Sequence, residues 1–151
     1  LKSLSKRILG IDPGDKRIGL ALSDETATIA NPLLVLNHIS RTENARKIVE
    51  ITEEHEVNEI VIGRTLTYDG EVTFQGRKSE RLGQAILELK KIQITYWNED
   101  FSTNRAQESR MLMGVGKKKR SGHLDEIAAT IILQSYLDAQ NDRAKYMETY
   151  G

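Results

Sequence analysis

Residues 8–24 read ILGIDPGDKRIGLALSD, and the order of residue types in this stretch decides the fold. Ile8-Leu9-Gly10-Ile11 is an apolar run that stops at a carboxylate, Asp12. The turn formers Pro13-Gly14-Asp15 follow, and the chain returns through Ile18-Gly19-Leu20-Ala21-Leu22. Two short apolar runs around a Pro-Gly-Asp turn signal a β-hairpin, with strands over 7–12 and 17–23. An acid that closes a buried strand has two readings. It either makes an Asx-type turn with the following Pro-Gly, or it serves a ligand held at the strand end. Gly10, Gly14 and Gly19 favour the second reading, because glycine lets backbone approach a phosphate closely.

Working outward, 28–37 reads as a third strand in which Pro32 marks an edge position or a bulge. Residues 42–55 carry Ala45, Ile48, Val49 and Thr52 at helical spacing, with Thr42 as N-cap. A short buried strand at 59–63 and a polar loop at 64–73 follow. Next comes a helix with the stripe Leu82, Ala85, Ile86 and Leu89, and an alternating strand at 92–97. Helices are expected over 102–113 and 123–139, with a Gly- and Lys-rich connection between them. Three consecutive strands imply antiparallel pairing, and the later alternation of helix and strand implies parallel crossovers. The expected fold is α/β: a mixed five-stranded sheet, three antiparallel strands and then parallel ones, flanked by helices. Residues 1–139 read as one domain and 140–151 as a polar tail that frays.

Composition narrows the chemistry. The chain has 151 residues, 38% of them hydrophobic and 29% charged, and no cysteine. Disulfides, zinc–cysteine sites and thiol catalysis are therefore excluded. No window approaches the ~18 apolar residues of a membrane span, and no signal-peptide pattern precedes the first strand, so a cytoplasmic location is expected. The 22 basic and 22 acidic residues cancel, and only local charge is informative. Lys117, Lys118, Lys119 and Arg120 form one basic block; Arg77, Lys78 and Arg81 form another. Such runs are ordinarily solvated faces unless a site lies beside them.

Three acids sit where a solubilising residue should not. Asp12 ends a buried strand. Glu99 follows the strand that ends in Tyr96-Trp97, at a strand's carboxyl end, where ligands of α/β sheets gather; the equal alternative is a loop acid favoured by the next helix dipole. Asp125 has Ala128, Ala129 and Ile132 at i+3, i+4 and i+7, which places it on the core face of its helix. A buried carboxylate there costs several kcal/mol without compensation. Acids crowded together hold protons unless divalent cations lie between them. Oxygen donors without Cys or paired His suit Mg²⁺ or Mn²⁺. Such a site fits phosphoryl chemistry in which one ion activates water and another steadies the leaving oxygen.

These residues carry a resemblance. ILGIDPGDKRIGLALSD, VIGRTLTYDGEV, NEDFSTNRA and KKKRSGHLDEIAATIILQSYLD together resemble the YqgF family over about residues 7–139. That family comprises RNase H-like nucleases linked to Holliday junction resolution and to 5′ maturation of 16S rRNA. The resemblance implies the RNase H-like fold and a metal-binding, catalytic triad of Asp12, Glu99 and Asp125. The family's middle loop, Leu-Pro-Leu-Asn-Met-Asp-Gly, is here Arg64-Thr65-Leu66-Thr67-Tyr68-Asp69-Gly70, and its Asp-Glu-Arg is here Asn98-Glu99-Asp100.

On that fold the block Lys117, Lys118, Lys119 and Arg120 borders the metal site as a sequence-independent phosphate contact, with Arg17 of the hairpin as a weaker one. Gly14 and Gly19 keep the hairpin slim for an approaching backbone. The expected activity is a Mg²⁺- or Mn²⁺-dependent endonuclease acting on branched DNA or on precursor rRNA. A junction-cutting enzyme would work as a homodimer, since two symmetric strands are cut. The competing class is a ribosome-assembly or nucleic-acid-binding factor with weak or no nuclease activity. An actin-like ATP-binding unit also begins with a Gly-x-Asp-x-Gly strand and turn, but two such domains need far more chain than this.

Overall fold

The computed structural model of the chain describes residues 5–99 and 120–150, and within the last helix the side chains from Ile127 onward. Its elements are β1 (Arg7–Pro13), β2 (Arg17–Ser23), β3 (Ala30–Asn37), α1 (Arg41–Glu54), β4 (Val57–Arg64), α2 (Phe74–Leu89), β5 (Gln93–Asn98) and α3 (Arg120–Tyr150). The helix expected over 102–113 and the run Lys117–Lys119 lie outside the described residues, as do the side chains of Arg120 and Asp125.

The five strands form one mixed sheet in the order β3-β2-β1-β4-β5. β1 pairs antiparallel with β2, and β2 with β3. β4 lies parallel to β1 on one side and to β5 on the other. β3 is an edge strand, and its register to β2 slips between Leu20 and Ala21, which pair with Leu34 and Pro32. Pro32 thus sits at both an edge and a bulge, the two places where a missing N–H is tolerated.

Strand alternation sorts the side chains into two cores. Leu9, Ile11, Ile18, Leu20, Ile60 and Ile62 face Ala45, Ile48 and Ile51 of α1 and Leu82 and Ile86 of α2. Ile8, Ala21, Ala30 and Val61 face Ala129, Ile132, Leu133, Tyr136 and Leu137 of α3. On the α3 side the approach is tight. A Cβ on Gly10 would lie 2.7 Å from Leu133 Cβ and 3.2 Å from the Ala129 carbonyl, so this position is glycine because a helix backbone occupies the space. Trp97 closes the same layer, donating from Nε1 to Ser135 Oγ at 3.1 Å and meeting the Tyr136 ring edge-on at 5.3 Å.

Several boundaries shift from those expected by a few residues, and the cause is visible at the start of α1, the start of β3 and the end of α3. α1 begins at Arg41 and its N-cap is Ser40, not Thr42: Ser40 Oγ accepts from the Glu43 N–H at 3.1 Å. Ser40-Arg41-Thr42-Glu43 has the spacing of a capping box, and a hydroxyl can cap only N–H groups two or three residues ahead of it. The third strand begins at Ala30 because Thr28 and Ile29 are drawn into a turn, donating their N–H groups to Asp24 Oδ1 at 2.8 and 3.0 Å. Residues 140–150, the polar tail expected beyond the domain, continue α3. A helix already anchored through 129–137 extends without a new nucleation cost. Its extension is held by Asn141, which donates to the Ala27 carbonyl at 3.3 Å, and by Tyr146 against Tyr150 one turn on. Among the described residues no helix is long and apolar enough to cross a membrane.

Candidate active site

Asp12 is the last residue but one of β1, and alternation places it with Ile8 and Gly10 on the α3 face. Its partner across the antiparallel ladder is Gly19. Directly opposed residues share a face, so the flank of Asp12 toward β2 holds no side chain. Gly19 is itself buried, and its other neighbour is Val35. Gly14 has a requirement of its own: its N–H donates to the Arg17 carbonyl at 3.0 Å, and a Cβ there would lie 2.4 Å from that oxygen. The tight hairpin alone demands this glycine.

Glu99 follows β5, two residues beyond Trp97 on the α3 face. The carboxylate leans over β4. A Cβ on Gly63 would lie 2.8 Å from Glu99 Oε1, 3.2 Å from Glu99 Cγ and 2.8 Å from Ile132 Cδ1. In the parallel register Ile11 pairs with Ile62, so Gly63 is one step further, beside Asp12. Gly63 therefore opens the lane between the two acids. Both line one cleft of about 230 Å³, together with Pro13, Thr65, Gln75 and Ser79. Two of the three predicted acids, from opposite ends of the described chain before α3, meet at the carboxyl edge of the sheet.

The remaining lining is held by backbone. Thr73 caps α2, accepting from the Gly76 N–H at 3.0 Å, while its own N–H donates to the Thr65 carbonyl at 3.2 Å. A Cβ on Gly76 would lie 2.5 Å from that same carbonyl, so the first turn of α2 packs directly on Thr65. This places Gln75 and Ser79 at the cleft. Arg64 ties the end of β4 to α2 through Glu80 at 2.9 Å and lies over the Tyr96 ring at 5.5 Å.

None of the six cleft residues is cationic, and besides the carboxylates they offer hydroxyl and amide oxygens. This donor set fits a hard divalent cation such as Mg²⁺ or Mn²⁺ and suits zinc poorly. Among the described residues no three His, Cys, Asp or Glu side chains gather as a ligand cluster. Asp12 and Glu99 supply two carboxylates, and Asp125 lies in α3 outside the described side chains. Arg17 opens β2 opposite Asn37 and is not part of the cleft lining. Gly63, Thr65, Gln75 and Ser79 were not singled out by the sequence reading. Only Gly63, a glycine closing an apolar strand, carried a signal that could have found it.

Comparison with known proteins identifies the family and the fold. A Caldanaerobacter subterraneus protein named "Putative pre-16S rRNA nuclease" is 38% identical over 138 residues, covering 90% of this chain and 99% of its own. A Syntrophus aciditrophicus protein of the same name is 38% identical over 133 residues, covering 88% and 89%. In structure, the chain resembles Thermus thermophilus RuvC in complex with Holliday junction substrate, with a TM-score of 0.56, 16% identity, and 89% and 95% of the two chains covered. It also resembles the fowlpox virus resolvase in complex with Holliday junction DNA, with a TM-score of 0.54, 15% identity, and 89% and 98% covered. At these identities the structural likeness establishes the RNase H-like fold. The profile of RuvX, described as Holliday junction resolvase, matches residues 6–139, and the chain belongs to that family.

Proposed function

We propose that the chain is a nuclease that depends on Mg²⁺ or Mn²⁺ and hydrolyses phosphodiester bonds in structured nucleic acid, with Asp12, Glu99 and Asp125 as its carboxylates. The observation that carries this reading is the convergence of Asp12 and Glu99 on one oxygen-lined cleft, with Gly63 clearing the space between them. The course of α3 supports the third member. Gln134 accepts from the Ala30 N–H at 2.8 Å and Asn141 donates to Ala27, both at the end of the sheet where β1 begins. Ala129 borders Gly10. Asp125, one turn earlier (~6 Å of helix rise), therefore belongs toward the end of the sheet where β1 finishes and Asp12 stands.

Asp12, Glu99 and Asp125 would hold a divalent cation, which when bound would supply Lewis-acid stabilisation of charge on the phosphoryl oxygens and would lower the pKa of an attacking water. The protein's part is positioning. β1 and β5 hold Asp12 and Glu99 on rigid strand ends, which keeps reacting groups within the narrow tolerance that orientation requires. Thr65, Gln75 and Ser79 border the opening on the α2 side and offer neutral hydrogen-bonding groups to a backbone that enters there.

For the substrate, the named relatives point to precursor 16S rRNA and the structural neighbours to four-way DNA junctions. Symmetric cutting of a junction requires two copies of the chain, whereas trimming an rRNA end requires one. The test is a cleavage panel of a four-way junction, linear DNA and a precursor rRNA fragment, run with Mg²⁺ and with Mn²⁺. Asp12→Asn is expected to abolish cleavage of whichever substrate is cut while preserving binding, and to remove the thermal stabilisation that Mn²⁺ gives the free protein. Wild-type cleavage by Asp12→Asn would overturn the site. Binding without cleavage of any substrate would favour the assembly-factor reading.

A further inference from the structure

On the other face of the sheet, around the same hairpin, lies a second and larger cleft of about 400 Å³. Its lining includes Arg41 from the start of α1, Lys78 and Arg81 from α2, and His38 before α1. It shares Pro13 and Gln75 with the carboxylate cleft, so the two openings are neighbours around one end of β1. Three cations face a single carboxylate, Asp15, and that acid is already engaged by Lys78 Nζ and Gln75 Nε2, each at 3.0 Å.

Arg41 and Arg81 are the two arginines that line this cleft. Arg7, Arg46 and Arg64 each meet a carboxylate. Among the described residues no carboxylate pairs with Arg41 or Arg81, and both side chains are exposed. Arg41 is the first residue of α1, where the helix dipole disfavours a cation. Arg81 lies two turns into α2. Two like charges brought to one concavity raise its positive potential, and a concave wall focuses that field.

Beneath them the floor is preorganised. Asn44 is 2% exposed and its Oδ1 accepts from the Ile39 N–H at 3.1 Å. Its Nδ2 must then donate, and it meets His38 Nδ1 at 3.0 Å. The His38 ring is thereby set with its proton on Nε2, leaving that N–H as a donor.

We propose that this cleft is a second phosphate site, holding the sugar-phosphate backbone of a polynucleotide beside the carboxylate cleft, with Arg41 and Arg81 as its principal contacts. The choice of polynucleotide over a free anion rests on the nuclease reading; the phosphate chemistry rests on the cleft alone. Guanidinium groups from two different helices suit adjacent oxygens along an extended chain of phosphates.

The test is fluorescence anisotropy with a labelled RNA hairpin and a labelled four-way DNA junction, in chelator so that nothing is cut, over a salt series starting at low ionic strength. Arg41→Ala and Arg81→Ala are each expected to weaken binding roughly tenfold and to lower the slope of log affinity against log salt by about 1. Arg143→Ala, which removes the same charge from the exposed end of α3, is expected to change neither. Equal affinities for the Arg41→Ala/Arg81→Ala double variant and Arg143→Ala would overturn the proposal, as would failure of the wild type to bind either probe at low salt. A parallel thermal-shift titration with inorganic phosphate separates the two sources of phosphate. Protection by phosphate that the double variant loses, with polynucleotide affinity unchanged, would assign the cleft to a free anion and refute the proposal. Because binding is read without cleavage, a failed nuclease assay leaves this result standing, and an intact nuclease with unaltered variants refutes the cleft alone.

Discussion

Gly63→Ala tests the link between packing and the candidate site in one atom. The added Cβ would sit 2.8 Å from Glu99 Oε1 and 2.8 Å from Ile132 Cδ1, against the ~3.5–4 Å of a comfortable contact. Both neighbours end flexible side chains, but Ile132 is 3% exposed and packed among Ala129, Leu133 and Tyr136, so it has little room to withdraw. Overpacking of this kind costs about 1–3 kcal/mol. Gly63 has no positive φ, so alanine regains about 0.5 kcal/mol by restricting the unfolded chain. The net loss is then about 0.5–2.5 kcal/mol, or roughly 1–10 °C in Tm for a chain of this length. The larger effect falls on activity, because the softer neighbour is Glu99. A displacement near 1 Å at a reacting centre can cost about 10²-fold in rate. Thermal melts followed by circular dichroism, with single-turnover cleavage of the substrate the panel identifies, measure both quantities. Gly10→Ala is the control: its Cβ would strike Leu133 Cβ and the Ala129 carbonyl, destabilising the fold without touching Glu99. Gly63→Ala with wild-type Tm and wild-type cleavage would refute the reasoning that glycine here makes room for the acid.

Two further outcomes follow from the described contacts. Tyr136 is buried and donates to Glu59 Oε2 at 2.6 Å, an oxygen that also accepts from Thr95 at 3.0 Å. Tyr136→Phe is expected to cost about 1–2 kcal/mol in urea denaturation. Burial first, and then the hydrogen bond to the Glu59 carboxylate, push the phenol up to about 12. A phenol whose folded pKa is raised contributes stability that is fully present below its unfolded value near 10 and is lost as pH rises toward 12; the Phe variant should lack that alkaline slope, and an identical slope would sink the assignment. Glu56 follows the C-cap of α1 with φ of +54° and is exposed. Glu56→Gly relieves a left-handed conformation that suits glycine, so a gain of about 0.5 kcal/mol is expected, and a lower Tm than wild type would contradict it.

The sequence by itself determined the sheet and the identity of the acids worth watching. The hairpin was legible at 7–23 because strand alternation and turn chemistry are local. The parallel placement of β4 and β5 followed from helices inserted between apolar runs. Asp12 was visible because a carboxylate closing a buried strand breaks a local rule. The cap at Ser40 was equally local, two residues before the Thr42 hydroxyl expected to cap the helix. Other features had no local signal. Gly63 matters only because Glu99, from the neighbouring strand, crosses it. Thr65, Gln75 and Ser79 reach the carboxylate cleft only because α2 packs on the Thr65 carbonyl. Arg81 belonged to a basic block with Arg77 and Lys78, and only the packing of α1 against α2 brings Arg41 to the same concavity. Period and turn preference act between residues a few positions apart, and they set the elements. Juxtaposition across strands and helices depends on how those elements pack, and only the tertiary structure decided it.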